Sequence, residues 1–205
     1  MIRAIQKALA ELGQTYPQGT DDQLATLLAE LTRWNSRVNL TAIRDPDDMI
    51  SGHLLDSLSA RPHLHGNDIL DVGTGAGFPG LPLAIAEPGR RFVLVDGNNK
   101  KVAFVEHVSG LLGLSNVTAI KARTENFAPG KRFDTVIARA VAALPRLLEI
   151  AGHHVREDGV FVALKGRYPA EELEEVPEPW DYKVMELKVP GLEAGSRHAV
   201  LMSRK

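Results

Sequence analysis

The chain is 205 residues long, 44% hydrophobic and 24% charged, enough to bury roughly 70% of its unfolded surface in a core of its own. It has no cysteine, which excludes disulfides, iron–sulfur clusters, thiolate zinc sites and every cysteine nucleophile. A formal net charge of −2 excludes an indiscriminate nucleic-acid coat, because sequence-independent binding needs many Lys and Arg contacts to phosphate.

The N-terminal segment reads as helices. Ile2, Ile5, Ala8, Leu9 and Leu12 recur at helical spacing until Pro17 and Gly19 break the run. Thr20 with Gln23 reads as a capping box that opens a second helix through Leu24, Leu27, Leu28, Leu31 and Trp34. Asp45–Pro46 starts a third, leading into "MISGHLLDSL". In that helix His53 and Asp56 share a face, which capping or packing explains as well as function does.

From Asp68 the period changes. "DILDV", "RFVLVD", "NVTAIKA", "FDTVIARA" and "GVFVALK" alternate with amphipathic stretches, which implies right-handed crossovers and a parallel sheet. "YKVMELKV" and "RHAVLMS", joined by "PGLEAGS", are expected to pair antiparallel at one edge. The expected fold is therefore α/β and Rossmann-like, a mostly parallel seven-stranded sheet with an antiparallel edge strand. Residues 1–62 form an N-terminal helical extension and residues 63–205 one compact domain. The acidic run "AEELEEVPEPWD" reads as a solvated face and a poor surface for RNA. Apolar runs such as "VIARAVAAL" fall short of the roughly 20 residues of a membrane span, and no signal-peptide profile opens the chain. The expected location is the cytoplasm, with no membrane partner and a monomer as the default state.

Two Gly-rich fingerprints overlap in "ILDVGTGAGFPGLPLAI". Gly75, Gly77 and Gly80 give the spacing of a dinucleotide turn. Asp71 with Gly73, Gly75 and Gly77 gives D-x-G-x-G-x-G, a pattern associated with S-adenosylmethionine. Three glycines between a strand and a helix permit close backbone approach to a ligand. Asp96, about twenty residues on, suits either nucleotide's ribose. Asp71 would repel a pyrophosphate but accept hydrogen bonds from an ammonium or ordered water, and "FPGLPL" differs from the small-residue helix start usual beneath a pyrophosphate. Both points favour adenosylmethionine.

The strand ends carry Asp71, Asp96, Arg123–Thr124–Glu125, Arg139 and Lys165. Three cations on the rim where doubly wound sheets bind ligands imply an anionic or carbonyl-bearing substrate. The pairs His63/His65 and His153/His154 have no matching carboxylate cluster, so no metal is expected. Without cysteine the chain cannot methylate cytosine carbon-5 through a thiolate. The position where exocyclic-amine methyltransferases carry Asp- or Asn-Pro-Pro-aromatic reads "ARAV" here. A small-molecule methyltransferase would show more aromatic lid material than 5% aromatics provide. A nicotinamide-dependent oxidoreductase would need a proton donor such as Tyr-x-x-x-Lys, and a non-catalytic ribosome-assembly factor on the same fold stays open.

"WNSRVNLTAIRDPDDMISGHLLDSL", "DVGTGAGFPGLPLAI", "VDGNNKKVAFV", "FDTVIARAVAAL" and "VALKG" together resemble the small-subunit ribosomal RNA methyltransferase G family, also called glucose-inhibited division protein B, from about Trp34 to His198. The resemblance implies an adenosylmethionine-dependent enzyme that methylates N7 of one guanine, guanine 527, in 16S ribosomal RNA, within a small-subunit particle. It implies cofactor contacts at Gly73, Gly75, Phe78, Asp96, Thr124, Glu125 and Arg139, with Arg139 also catalytic, and RNA contacts at Arg123, Lys165 and Arg197. Two positions depart from that family's habit: Gly97 stands where Ser is common, and Thr124 where a small apolar residue is.

Overall fold

The computed structural model describes residues 1–205. Two helices lead, α1 (Ile2–Leu12) and α2 (Thr20–Asn35). The capping box at Thr20 is not formed. Gly19, at φ 84°, takes the cap position with no side-chain hydrogen bond, Thr20 turns inward to 2% exposure with its hydroxyl unpartnered, and the Gln23 amide instead reaches the Leu112 carbonyl. A glycine free to adopt a positive φ turned the chain one residue earlier than the polar pair implied.

The Asp45 cap is formed: its carboxylate accepts from the Asp47 N–H and opens α3 (Pro46–Met49). The helix then widens into a π-helical turn, Ile50–Leu55, and closes as α4 (Asp56–Leu58).

Seven strands follow: β1 (Asp68–Val72), β2 (Arg91–Asp96), β3 (Val117–Lys121), β4 (Phe133–Arg139), β5 (Val155–Lys165), β6 (Trp180–Glu186) and β7 (His198–Arg204). The crossovers between the first five are α5 (Gly80–Ala86), α6 (Asn99–Leu112) and α7 (Leu144–Ala151), while α8 (Ala170–Glu174) precedes β6. The sheet order is β3-β2-β1-β4-β5-β7-β6. The first five strands pair parallel and β7 runs antiparallel to both β5 and β6, one place in from the edge. β1 therefore lies at the switch point, flanked by β2 on one side and β4 on the other.

Alternate residues of each strand face opposite layers. Ile69, Ile137 and Val162 join α1, α2, α5 and α6 in an apolar cluster of 33 buried residues, whereas Leu70, Val136 and Phe161 join α7 in one of 19. The N-terminal helices thus pack into the larger of the two cores, where Leu24, Leu27, Leu28 and Leu31 are fully buried.

At the opposite end of the sheet from the strand carboxyl termini, an ion network ties β1 to its neighbours. Asp68, 5% exposed, accepts from Arg91 at 2.8 Å, Lys131 at 2.9 Å and Arg156 at 3.2 Å. Asp134 accepts from the Asn67 and Asp68 N–H groups and pairs with Arg156. The hydrogen bond from Arg91, reinforced by Lys131 and opposed by burial, holds the Asp68 carboxyl far below the usual carboxylate range. A depressed folded pKa stabilises above the unfolded value, near 4, and that contribution fades as pH falls towards the folded one. Because the cationic partners are 40–65% exposed, solvent screening limits the effect. Asp68→Asn is expected to lower stability at pH 7 by about 1–2 kcal/mol, and the gap to wild type should narrow at pH 3. Denaturant melts at the two pH values measure this; an equal gap at both would exclude the charge as its source.

Candidate active site

The turn after β1 holds three residues in the left-handed region: Gly73 (φ 66°), Gly75 (φ 62°) and Gly77 (φ 85°). Each glycine meets a different constraint. A Cβ on Gly73 would fall 2.6 Å from Val141 Cγ2, and one on Gly77 would strike Leu81, while at Gly75 nothing lies closer than 4.0 Å. Gly75 is therefore the position at which bare backbone faces open space. Gly80 has no positive φ; it is the first residue of α5, and a Cβ there would meet Asp71 Oδ2 and Leu94. The dinucleotide spacing through Gly80 is a packing coincidence.

Asp71 is fully buried. Its Oδ2 accepts from the Thr74 hydroxyl at 2.6 Å and the Gly80 N–H at 2.9 Å, and Oδ1 has no partner. Burial pushes its pKa up to about 6 in spite of those bonds. Asp96, at the end of β2, accepts from the Gly75 N–H (2.9 Å) and the Asn98 N–H (2.8 Å), so it fixes the Gly-rich turn and the start of α6 together. An open polar recess beside it is lined by Asp96, Gly97, Asn98, Asn99, Lys121 and Arg123. A Cβ at Gly97 would make only ordinary contact with Arg123 at 3.5 Å, so packing does not demand glycine there. The next loop brings Thr124, 9% exposed, and Glu125, which faces outward 3.4 Å from Arg146.

Arg139 ends β4, followed by Ala140 at φ 54°. A non-glycine residue in that region is strained; here the sharp turn leaves the Arg139 guanidinium facing the π-helical turn. Arg139 donates to Asp56 Oδ2 (2.8 Å), the Gly52 carbonyl (3.0 Å) and His53 Nδ1 (3.3 Å). On the other side Arg197 Nε donates to Asp56 Oδ1 at 2.9 Å. One carboxylate, 4% exposed, thus holds two guanidinium groups.

His53 stacks on Phe78 at 4.7 Å and 21°, with the Arg139 guanidinium 5.7 Å from the same ring. Burial, and next the Arg139 charge, lower the His53 pKa to about 4, so the imidazole is neutral. A guanidinium can only donate, which makes Nδ1 the acceptor and leaves Nε2–H to donate to Thr41 Oγ1 at 2.8 Å. Gly52, His53, Asp56, Arg139, Lys165 and Arg197 line a cavity of about 380 Å³.

The expected residues therefore sit on one rim, two of them with partners the sequence did not announce. Phe78, 4% exposed, packs its ring against His53 and the Arg139 guanidinium. Lys165 is neutralised: its Nζ donates to Glu172 at 2.7 Å and to the Ala142 carbonyl at 2.9 Å. The same Glu172 oxygen accepts from the Leu144 N–H at the start of α7, so part of the acidic run expected to be solvated is structural. Arg123, by contrast, is exposed and makes no ion pair. His53 and Asp56 were readable only as a shared helix face. Their signal was burial, two ionisable residues on the apolar side of "MISGHLLDSL".

A Gly-rich turn after the first strand, a carboxylate ending the second and a 3-2-1-4-5-7-6 sheet define a Rossmann-like class I methyltransferase fold. Solved structures share it. The glycopeptide N-methyltransferase MtfA complexed with S-adenosyl-L-methionine superposes with a TM-score of 0.65 at 11% identity, covering 75% of this chain and 87% of that one. The DhpI–SAH complex gives 0.61 at 16% identity over 90% and 96%. The chain belongs to the GidB family, rRNA small subunit methyltransferase G, whose family model matches residues 20–200. Ribosomal RNA small subunit methyltransferase G of Idiomarina loihiensis is 47% identical over 185 residues, 90% of this chain and 89% of the relative. Those of Legionella pneumophila strain Corby and Aeromonas salmonicida are 46% and 44% identical over 199 residues each, covering 96% and 97% of this chain.

Removing the shared carboxylate, Asp56→Ala, is expected to destabilise by about 2–4 kcal/mol, since two half-buried cations lose their partner. The Asp56→Ala/Arg139→Ala double variant should lose at least about 1 kcal/mol less than the sum of the single variants. Thermal or denaturant melts test this, and strict additivity would show that the pair is not coupled.

Proposed function

We propose that this chain, acting as a monomer in the cytoplasm, transfers a methyl group from S-adenosylmethionine to N7 of guanine 527 in 16S ribosomal RNA, with an assembled small-subunit particle as substrate. The family match over residues 20–200 carries the reading. The site suits it in detail. Bare backbone at Gly75 and the unpartnered Asp71 Oδ1 are the features a methionine tail requires, a close approach and an acceptor for an ammonium or an ordered water. Gly73, Phe78, Thr124, Glu125 and Arg139 complete the cofactor contacts in this reading, with Asp96 on the ribose hydroxyls. The helices of residues 1–62 serve as a cover that supplies His53 and Asp56 to the site.

Adenosylmethionine, when bound, supplies an electrophilic methyl on a positively charged sulfur. Guanine N7 has no proton to lose, so the chain needs no general base, and its nearest candidate, His53, is held by Thr41 and Arg139 for positioning. Catalysis by this chain is then alignment, an effect that can supply roughly 7–11 kcal/mol. Arg139, held by Asp56 and Gly52, orients the guanine O6 or the cofactor tail, while Arg123 and Arg197 take phosphates. Lys165, tied to Glu172, reaches RNA only by giving up that pair. With a net charge of −2, affinity depends on the folded shape of the RNA more than on unspecific attraction.

Mapping 7-methylguanine in 16S ribosomal RNA by borohydride–aniline scission, in cells with and without this chain, tests the reading; an unchanged pattern would overturn it. Arg139→Ala is expected to lower kcat by 100-fold or more with Tm changed by only a few degrees, because Arg197 still pairs Asp56. Normal turnover would remove Arg139 from the chemistry. Adenosylmethionine affinity by calorimetry should rise roughly tenfold between pH 5 and 7.5 as Asp71 ionises through about 6, and Asp71→Asn should flatten the profile. A wild-type profile already flat over that range would exclude Asp71 from the cofactor site.

A further inference from the structure

Only two aromatic side chains of this chain are exposed, Tyr168 at 57% and Tyr182 at 48%. Tyr182 lies along the outermost strand, β6. Tyr168 stands on the loop that leaves β5 at Lys165, on the same rim as the cavity lined by Lys165, Gly166, Arg139 and Arg197. An apolar ring in that position gains nothing for the fold by being exposed, while two of its neighbours fix where it stands. Pro169 beside it is buried, and His198, itself 7% exposed, meets the tyrosine ring edge-on at 5.7 Å and 82°. His198 is in turn held by a 3.0 Å contact between Nδ1 and the Gly166 carbonyl. The ring is anchored through one perpendicular contact and has no stacked partner.

The charges nearest it in the chain are an arginine and, beyond Pro169, a short acidic helix. Arg167, next in the chain, is exposed and makes no ion pair, and Arg197 lies on the cavity side. Further along, Glu172 of α8 is spent on Lys165 and the Leu144 N–H, which leaves Arg167 as the uncompensated charge beside the ring. An exposed aromatic ring next to an arginine without an ion pair fits an unpaired nucleotide, with the base on the ring and its phosphate near the cation. Every base has a π-face, so such a ring stacks without reading sequence.

We propose that Tyr168 is a stacking platform for the unpaired nucleotide next to the methylated guanine, with Arg167 on its phosphate. This rests on the RNA methyltransferase reading above and adds a substrate-binding subsite to it. A stack needs a ring and no hydroxyl, which separates it from a general apolar contact. Steady-state methylation of reconstituted small-subunit particles should show Tyr168→Ala raising KM for the particle about tenfold, with kcat within about twofold and adenosylmethionine affinity unchanged. Tyr168→Phe should behave as wild type, and Tyr168→Leu as Tyr168→Ala. Particles carrying an abasic site at one of the two nucleotides flanking the guanine should be worse substrates for the wild type by a similar factor, and the Tyr168→Ala variant should be indifferent to that lesion. An unchanged KM in Tyr168→Ala, full rescue by Leu, or a wild type indifferent to both abasic positions would overturn the subsite, the last by assigning the ring to a protein of the particle. Failure of the parent reading looks different: the wild type would then methylate no guanine N7 in any particle.

Discussion

The buried carboxylate of Asp56 is the constraint on which the site depends. A charge at 4% exposure is tolerable only if it is paired and hydrogen-bonded, and its partners come from two elements far along the chain: Arg139 at the end of β4 and Arg197 just before β7. Satisfying that one side chain docks the N-terminal helices on the carboxyl edge of the sheet, closes the approach to β7 and sets two guanidinium groups at a common cavity. The apolar core of α1 and α2 supplies the larger share of the free energy, but it has no direction. The ion triad gives the docking its register.

The electrostatics of the two halves of the site then differ in kind. On the cofactor side the anions dominate: Asp71 under the glycine turn, Asp96 at its flank. On the other side cations dominate, and the groups that would act as bases are disarmed, His53 by burial and a neighbouring guanidinium. A centre with fixed dipoles, an aromatic floor at Phe78 and no free base suits a transfer in which the acceptor already holds its lone pair. It would serve poorly for an amine or carbon acceptor that has to lose a proton.

Much of this was legible in the sequence because it follows from local rules. Short apolar runs alternating with amphipathic stretches marked the strands, spaced glycines marked the turn after β1, and reading cations off the strand ends brought Arg123, Arg139 and Lys165 to one rim. What escaped depends on pairs far apart in sequence. The i, i+3 spacing of His53 and Asp56 says that they share a face, not that Arg139 and Arg197 await them. Lys165 looked free because its neutralising partner, Glu172, sits in a run whose composition reads as solvent-facing. Thr20 and Gln23 had the letters of a cap, but the conformational freedom of Gly19 displaced it. Ala140 carries no signal at all: nothing in alanine announces a left-handed turn, which only the surrounding fold imposes.

The π-helical turn at Ile50–Leu55 has a consequence for how this family can vary. Each residue added to or removed from a helix rotates everything beyond it by about 100°, and widened turns of this kind arise where an extra residue has been accommodated in a helix. His53 lies inside the turn and Asp56 directly after it, both held by Arg139 of β4 and Asp56 by Arg197 as well. A single-residue length change here would swing Asp56 out of reach of both arginines and leave the apolar seam out of phase. Natural length variation among relatives should therefore be absent between Pro46 and Leu58, where the chain counts residues as strictly as it chooses them.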